Sequence, residues 1–476
     1  MKGFPLFNHG YGVAVIGFGL YWAWVDCAFF MPTLYRSETG AFSLPLLHLV
    51  VIACALIPAL IVLLRRMSGA ALLSRKVIAA FAAAGTLGSF LLLLADFTHS
   101  PVLVALVALV GGIGMGVGVL SWGRVVSDFG VEGASVCIPG TFVCAVLLGL
   151  LVNGAPVLAA QALTVLFPLG SASLLLVAAG AARDTNDAPR TVRPKAAIKG
   201  LFADMPVHFL VMLFLFCTAF GIMQYLLVLP HADATAITAQ NIAVRGIIAS
   251  IVFAGFGLFS WKPDVAYKIG LLLITAGFMA APFLKSIAFS SAIIMAGYTC
   301  FDMMGWIVVT AIIKLDERQA AGILALSRIA ELGGVLCGGA AGALLVPWAW
   351  SDDANMAILT TAVAYLLVAV AVLLLYRGSS SVWLLMKRTV EPAASELQAR
   401  ELAVEELSAR FCLTPRERDV LLHFAAGRSI PWIAQHFTIS EGTVRSHTRH
   451  LYEKAGVHSR QELLDVLERE TESHLV

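Results

Sequence analysis

In a chain of 476 residues of which only 13% are Asp, Glu, Lys or Arg, charges that interrupt long apolar runs are the first candidates for chemistry. Asp26, Arg245 and Asp302 are the sharpest cases, with His48 and Gln224 as weaker polar companions. Charge at such depth is costly and faces a wet cavity or an opposite charge. Trp22, Trp24 and Tyr298 lie within about one helical turn of Asp26 or Asp302 and offer rings that can stack on a ligand. The expected ligand-binding set is therefore Trp22, Asp26, Gln224, Arg245, Tyr298 and Asp302, lining one outward-facing cavity. The other use for the same charges is to pair with each other and hold the molecule together, which needs no ligand. Arg124 with Asp128, and Arg328 with Glu331, at spacings of four and three, read as local ion pairs or latches near the cytoplasmic helix ends.

A second polar constellation, near the C-terminus, has a different character. Thr443, Arg445, Ser446, His447, Arg449 and Lys454 occupy one short segment in which Val444 and Leu451 stand seven residues apart. With those two turned inward, Arg445, Ser446 and Arg449 share the outward helix face. Arginine so placed can meet guanine O6 and N7 in the major groove, each good bidentate contact giving about 1–3 kcal/mol of discrimination. No Walker loop, kinase motif, receiver pocket or metal triad is visible, so no enzyme activity, catalytic residue or cofactor is expected. The eight cysteines show no CxxC or Cys/His ligand spacing. They read as buried, reduced thiols rather than disulfides or zinc ligands.

The elements that position these groups follow from composition. Hydrophobic content of 59% and a mean hydropathy of +0.87 exceed those of a soluble chain. Lipid must solvate most of the protein. Segments of about 20 apolar residues can cross a bilayer as helices, and twelve are expected, near 11–35, 43–64, 74–97, 101–122, 133–153, 156–182, 205–229, 240–261, 264–285, 287–313, 322–347 and 354–376. The first is too long for a signal-peptide core and is expected to stay as a span. Alternate loops carry Arg65, Arg66, Arg75, Lys76, Arg124, Arg183, Lys262, Lys314 and Arg318, which places them and both termini in the cytoplasm. A bacterial inner (cytoplasmic) membrane is the expected location.

The polar stretch 183–204, with Pro189 and Pro194, divides the spans six and six. This arrangement resembles the major facilitator superfamily, whose two six-helix halves are joined by such a loop, and the resemblance covers about residues 1–376. Gly111, Gly112, Gly114, Gly116 and Gly118, and Gly334, Gly338 and Gly342, lack the context of a phosphate loop. They read as small residues that let membrane helices approach closely.

After the last span, 377–410 reads as a juxtamembrane linker containing a helix with Leu397, Val404, Leu407 and Phe411 on one stripe. Thr414-Pro415-Arg416-Glu417 and Ser459-Arg460-Gln461-Glu462 are capping boxes. Ser429 and Ser440 start two further helices, and Gly456 is a left-handed stop. Four short helices result, with Leu421, Phe424, Ile433, Phe437, Val444, Leu451 and Leu464 as core. The run Leu413-Thr-Pro-Arg-Glu-Arg, then Ile433-Ala434, Ser440-Glu-Gly-Thr443-Val444-Arg445-Ser-His447, Lys454-Ala-Gly456-Val457 and Arg460, resembles the LuxR-type helix-turn-helix. The resemblance implies a DNA-binding domain at 411–476 read through the Val444–Leu451 helix, with Thr443, His447 and Lys454 on phosphates or bracing that helix. Where the family usually has Asn-Lys-Glu, this chain has Ile430-Pro431-Trp432, which removes a cation. The domain is nearly charge-balanced, so a homodimer on two half-sites is expected.

The combined expectation is an all-α membrane bundle followed by a small helix-turn-helix domain. Its partners would be double-stranded DNA, the lipid bilayer and a small-molecule ligand. The function would be a one-component membrane regulator, and the other reading is a secondary transporter with an attached regulatory domain.

Overall fold

A computed structural model describes residues 9–30, 44–98, 100–184, 207–230, 233–259, 263–284, 286–315, 317–369, 402–425 and 429–473. It divides into two compact units, residues 1–385 and 386–476.

In the first unit apolar runs become helices because a chain in lipid must satisfy its own backbone groups. The first half holds α1 (His9–Val25), α2 (Leu44–Arg65), the single turn α3 (Gly69–Leu72), α4 (Arg75–Thr98), α5 (Pro101–Asp128), α6 (Gly130–Gly154) and α7 (Val157–Asp184). The second half holds α8 (Val207–Ile222), α9 (Ala234–Phe259), α10 (Pro263–Ala280), α11 (Ile287–Leu315), α12 (Ala320–Ala349) and α13 (Asp353–Ala369). Ten helices among the described residues are long and apolar enough to cross a membrane. Lys268–Ala280 and Asp353–Ala369 are shorter apolar helices at the ninth and twelfth expected spans. The stretches 185–206 and 370–401, which include most of the expected central loop and linker, lie outside the described residues.

The halves meet where α2 packs on α12, α6 on α9 and α11, and α5 on α11 and α12. Within each half, glycine lets helices approach closely. A Cβ on Gly338 would fall on the Thr218 backbone of α8, and one on Gly334 on the Phe214 carbonyl. Along α5, Gly112 and Gly116 face α2, Gly114 meets Gly85 of α4, and Gly118 faces Tyr21 and Phe81. The small-residue reading is thus the packing seen. Leu158, Leu272 and Leu344 stand outward, as a lipid-facing surface requires.

One backbone feature recurs in both halves. The first helix of each ends in a π-helical stretch, Asp26–Phe30 after α1 and Met223–Val228 after α8. Such wide turns displace side chains from the α-helical register and are common at functional sites. Here they carry Asp26 and Gln224.

The second unit is built from α14 (402–410), α15 (Pro415–Ala425), α16 (Ile430–Phe437), α17 (Glu441–Ala455) and α18 (Arg460–Ser473). Its caps form largely as the sequence reads. Thr414 N–H donates to Glu417 Oε2 at 2.8 Å, and Glu417 N–H returns to Thr414 Oγ1 at 3.4 Å. Ser440 Oγ accepts from Thr443 N–H at 3.1 Å. Gly456 ends α17 at φ 66°, a conformation glycine adopts without a Cβ penalty. The second box differs in one bond, because Glu462 accepts from the amide of His458 rather than Ser459.

Leu421, Phe424, Ile433, Val444 and Leu451 are fully buried. Two core assignments are corrected: Phe437 and Leu464 are only partly buried, and Leu463 and Leu467 take the interior of α18 instead. The core also extends N-terminally into the segment read as linker, through Ala403, Val404 and Leu407 of α14. The Val404–Leu407 stripe is therefore satisfied within the chain. Arg410 fixes α14 to α18 through two bonds of 2.8 Å to Glu470. The expectation of buried cysteines fails at Cys337 and Cys412, which are exposed, while every described cysteine is free.

Candidate functional site

A cavity of about 120 Å³ opens inside the first unit, between the two halves. It has room for several waters or part of a small organic molecule. All six expected residues, Trp22, Asp26, Gln224, Arg245, Tyr298 and Asp302, line it. They come from α1, α9, α11 and the two π stretches, so the site exists only because the halves meet.

Arg245 is its electrostatic centre. One guanidinium nitrogen lies 3.2 Å from Asp302 Oδ2 and another 3.9 Å from Asp26 Oδ1. The guanidinium also sits 4.2 Å from the Phe142 ring centroid and 5.2 Å from that of Trp22. Pairing across α1, α9 and α11 and lining a cavity are both realised by the same charges. In this low-dielectric setting an uncompensated partner would be costly, so the pairs make the bundle sensitive to whatever displaces them.

Arg328 and Glu331 correct the reading that put them at the cytoplasmic end. Both are buried, pair with each other and line the cavity. At 1.5 Å per residue Arg328 lies about 12 Å in from Ala320, and its guanidinium stacks 4.0 Å over Trp306. Arg124 and Asp128 do form a separate local pair, off the cavity. Trp24 is a further correction: two residues on from Trp22 it points to another face, where its Nε1 donates to Ser89 at 2.7 Å. His48 packs against Phe30 at 5.2 Å and does not line the cavity.

Sequence reasoning missed Asn241, four residues before Arg245 and so on the same helix face. It is 1% exposed, and its amide nitrogen has no hydrogen-bond partner among the described residues. Phe220 was missed as well; it stacks on Tyr298 with centroids 3.9 Å apart. Toward the end that bears Arg124 and Lys314, fully buried Phe18, Trp122 and Trp306 form an aromatic layer, with Phe18 5.9 Å from Trp122 and 5.4 Å from Trp306.

In the second unit α17 presents the expected polar face. Arg445 and Arg449 have side chains 67% and 71% exposed, loosely tethered to Glu441 at 3.3 Å and Glu453 at 3.8 Å. Such exposed pairs are weak, so phosphates or bases can take both arginines over. Ser446 and His447 are half-buried beside them. Thr443 is exposed, with its hydroxyl 2.8 Å from Ser440 Oγ in the cap. Lys454 is differently placed: its Nζ donates to Glu417 Oε2 at 2.7 Å and to the Cys412 carbonyl at 3.1 Å. It ties α17 to the start of α15. Burial would raise the carboxyl of Glu417, but hydrogen bonds from Lys454 and Thr414 outweigh it and hold it below the usual glutamate range. Trp432 of the divergent Ile430-Pro431-Trp432 run stacks on His436 at 4.7 Å.

Residues 412–467 match the family described as bacterial regulatory proteins, luxR family. Over 48 residues the chain is 48% identical to a probable transcriptional regulatory protein NarL of Mycobacterium tuberculosis, covering 10% of this chain and 22% of that protein. Over 57 residues it is 39% identical to a probable HTH-type transcriptional regulator GfsR of Streptomyces halstedii, covering 12% and 24%. The chain thus spans about a quarter or less of the length of these curated relatives. The fold of the larger part is similar to the human organic anion transporter MFSD10 (TETRAN), at TM-score 0.55 and 14% identity over 76% of this chain and 98% of that one. It is similar also to a bacterial homologue of the iron transporter ferroportin in an outward-facing state, at TM-score 0.52 and 11% identity over 77% and 98%. The protein is a multi-pass membrane protein of major-facilitator-like fold with a C-terminal LuxR-type helix-turn-helix.

Proposed function

We propose that this chain is a membrane-bound one-component transcriptional regulator. A small molecule or membrane signal shifts the bundle between two arrangements, and the change alters how α17 is offered to operator DNA. The single observation that carries this reading is the union in one chain of a luxR-family reader with a bundle whose halves are tied through a charged cavity. A ligand that binds one arrangement better than the other moves the equilibrium tenfold for each 1.4 kcal/mol of difference. The basic loops support cytoplasmic termini and a bacterial inner membrane. Arg445 and Arg449 would read bases, with Thr443, Ser446 and His447 near phosphates. The nearly balanced charge of the domain supports action as a homodimer.

Genome-wide occupancy of the full-length protein in its own membrane, compared with Arg445→Ala/Arg449→Ala, tests the reading. Discrete sites lost in the double variant are the expected result; no sites under any growth condition would remove it. A second reading, a secondary transporter with an attached regulatory domain, is favoured by a cavity set between two transporter-like halves. Saturable uptake into vesicles that is abolished by Asp302→Asn would put that reading first.

A further inference from the structure

Among the described residues, five charged side chains line the central cavity, and they do not balance. Asp26, Asp302 and Glu331 stand against Arg245 and Arg328. Both bases are committed elsewhere. Arg328 pairs with Glu331 and lies over Trp306; Arg245 is hydrogen-bonded to Asp302 and lies over Phe142. Asp26 reaches Arg245 only at 3.9 Å, beyond hydrogen-bond range. The imidazole of His48 contacts Phe30 and stays outside the cavity lining. The surplus carboxylate among them is therefore Asp26, and the cavity it lines also carries the aromatic side chains of Trp22, Phe30, Phe220 and Tyr298.

An unbalanced carboxylate in such a site calls for a positive charge, and aromatic faces attract organic cations through their quadrupoles. Two buried donors point to the rest of the molecule. Asn241 Nδ2 and Trp22 Nε1 have no acceptor among the described residues, and both residues line the cavity. We infer that the cavity takes an organic monocation carrying an oxygen acceptor, an amine or quaternary ammonium with a carbonyl, ether or hydroxyl group. Its positive end lies at Asp26, its body between the aromatic rings, and its oxygen toward Asn241 and Trp22. This deepens the sensor reading and rests on its premise that the cavity binds a ligand.

The test uses full-length protein in detergent micelles, without DNA, and titration calorimetry with benzoylcholine. The uncharged isostere 3,3-dimethylbutyl benzoate is the control. Saturable binding of the cation, at least about tenfold tighter than the isostere, is expected; a tenfold difference corresponds to 1.4 kcal/mol. Asp26→Asn should remove that preference, and Trp22→Phe should weaken the cation a few-fold. No saturable binding to the wild-type protein, or equal affinity for cation and isostere, overturns the assignment without recourse to any variant. Undiminished preference in a folded Asp26→Asn protein does the same. Cation binding that leaves operator occupancy unchanged would support this site while removing the sensing role, so the two failures are distinguishable.

Discussion

The two units use the same ionic chemistry in opposite ways. In the bundle, Asp302, Arg328 and Glu331 are buried and Arg245 is mostly so, and each base faces a carboxylate on another helix or one turn away. In the C-terminal unit, Arg445 with Glu441 and Arg449 with Glu453 are i,i+4 pairs on one exposed helix face. The first kind of pair holds structure because neither member has water to return to. The second is easily exchanged for another partner, as the proposed DNA contacts of α17 would require. Lys454 is the exception inside the second unit, an ion pair with a buried carboxylate at the C-terminal end of α17.

That contrast makes graded predictions. The largest effect belongs to the bundle: Asp302→Ala leaves Arg245 without its nearest partner and should cost about 3–5 kcal/mol of stability, read as thermal melting in micelles. Asp302→Asn combined with Arg245→Gln should cost less than the sum of the single changes. Next comes Arg445→Ala, expected to cost about 1–3 kcal/mol in operator discrimination with the hydrogen exchange of α17 amides unchanged. Faster exchange throughout α17 would show that Arg445 supports the fold instead.

Lys454→Met should leave Glu417 buried without its ammonium partner and loosen the α15–α17 junction by about 1–3 kcal/mol, measured as hydrogen exchange of those helices. If Lys454 were a phosphate contact, the variant would instead lower the slope of log affinity against log salt by about one. The same brace gives an acid sensitivity. The carboxyl of Glu417 is held below its ordinary value when folded, so its contribution is complete above an unfolded pKa of about 4.3. It is lost as pH falls through the lower folded value. Glu417→Gln should flatten that acid limb. The smallest effect is expected for Glu453→Gln, at or below about 1 kcal/mol.

Legibility in the sequence followed the physical scale of each signal. Apolar runs, caps and the left-handed stop at Gly456 are local, and they appear where the residues put them. The six cavity residues were also legible, because charge inside an apolar run has few other uses. Arg328 and Glu331 were misplaced because a loop-based estimate of depth does not show where α12 begins. Leu464 was chosen over Leu463 and Leu467 because a short amphipathic helix allows a small rotation that only its neighbours resolve. For Lys454 the sequence leaves two uses open, a phosphate contact or a brace on the helix, and only the fold brings Glu417, 37 residues earlier, to face it.

By itself, then, the sequence determined that most of the chain crosses lipid, that its end is a DNA-reading module, and which side chains are too costly to be idle. Those are consequences of transfer energies, helix periodicity and capping, all local in the chain. Tertiary structure alone decided that Asp26, Gln224, Arg245, Tyr298 and Asp302 share one cavity, that Arg328 and Glu331 join it, and that Asp26 stands farther from Arg245 than Asp302 does. Partnership between charges depends on distances of a few ångströms between helices far apart in sequence, and no spacing along the chain encodes them.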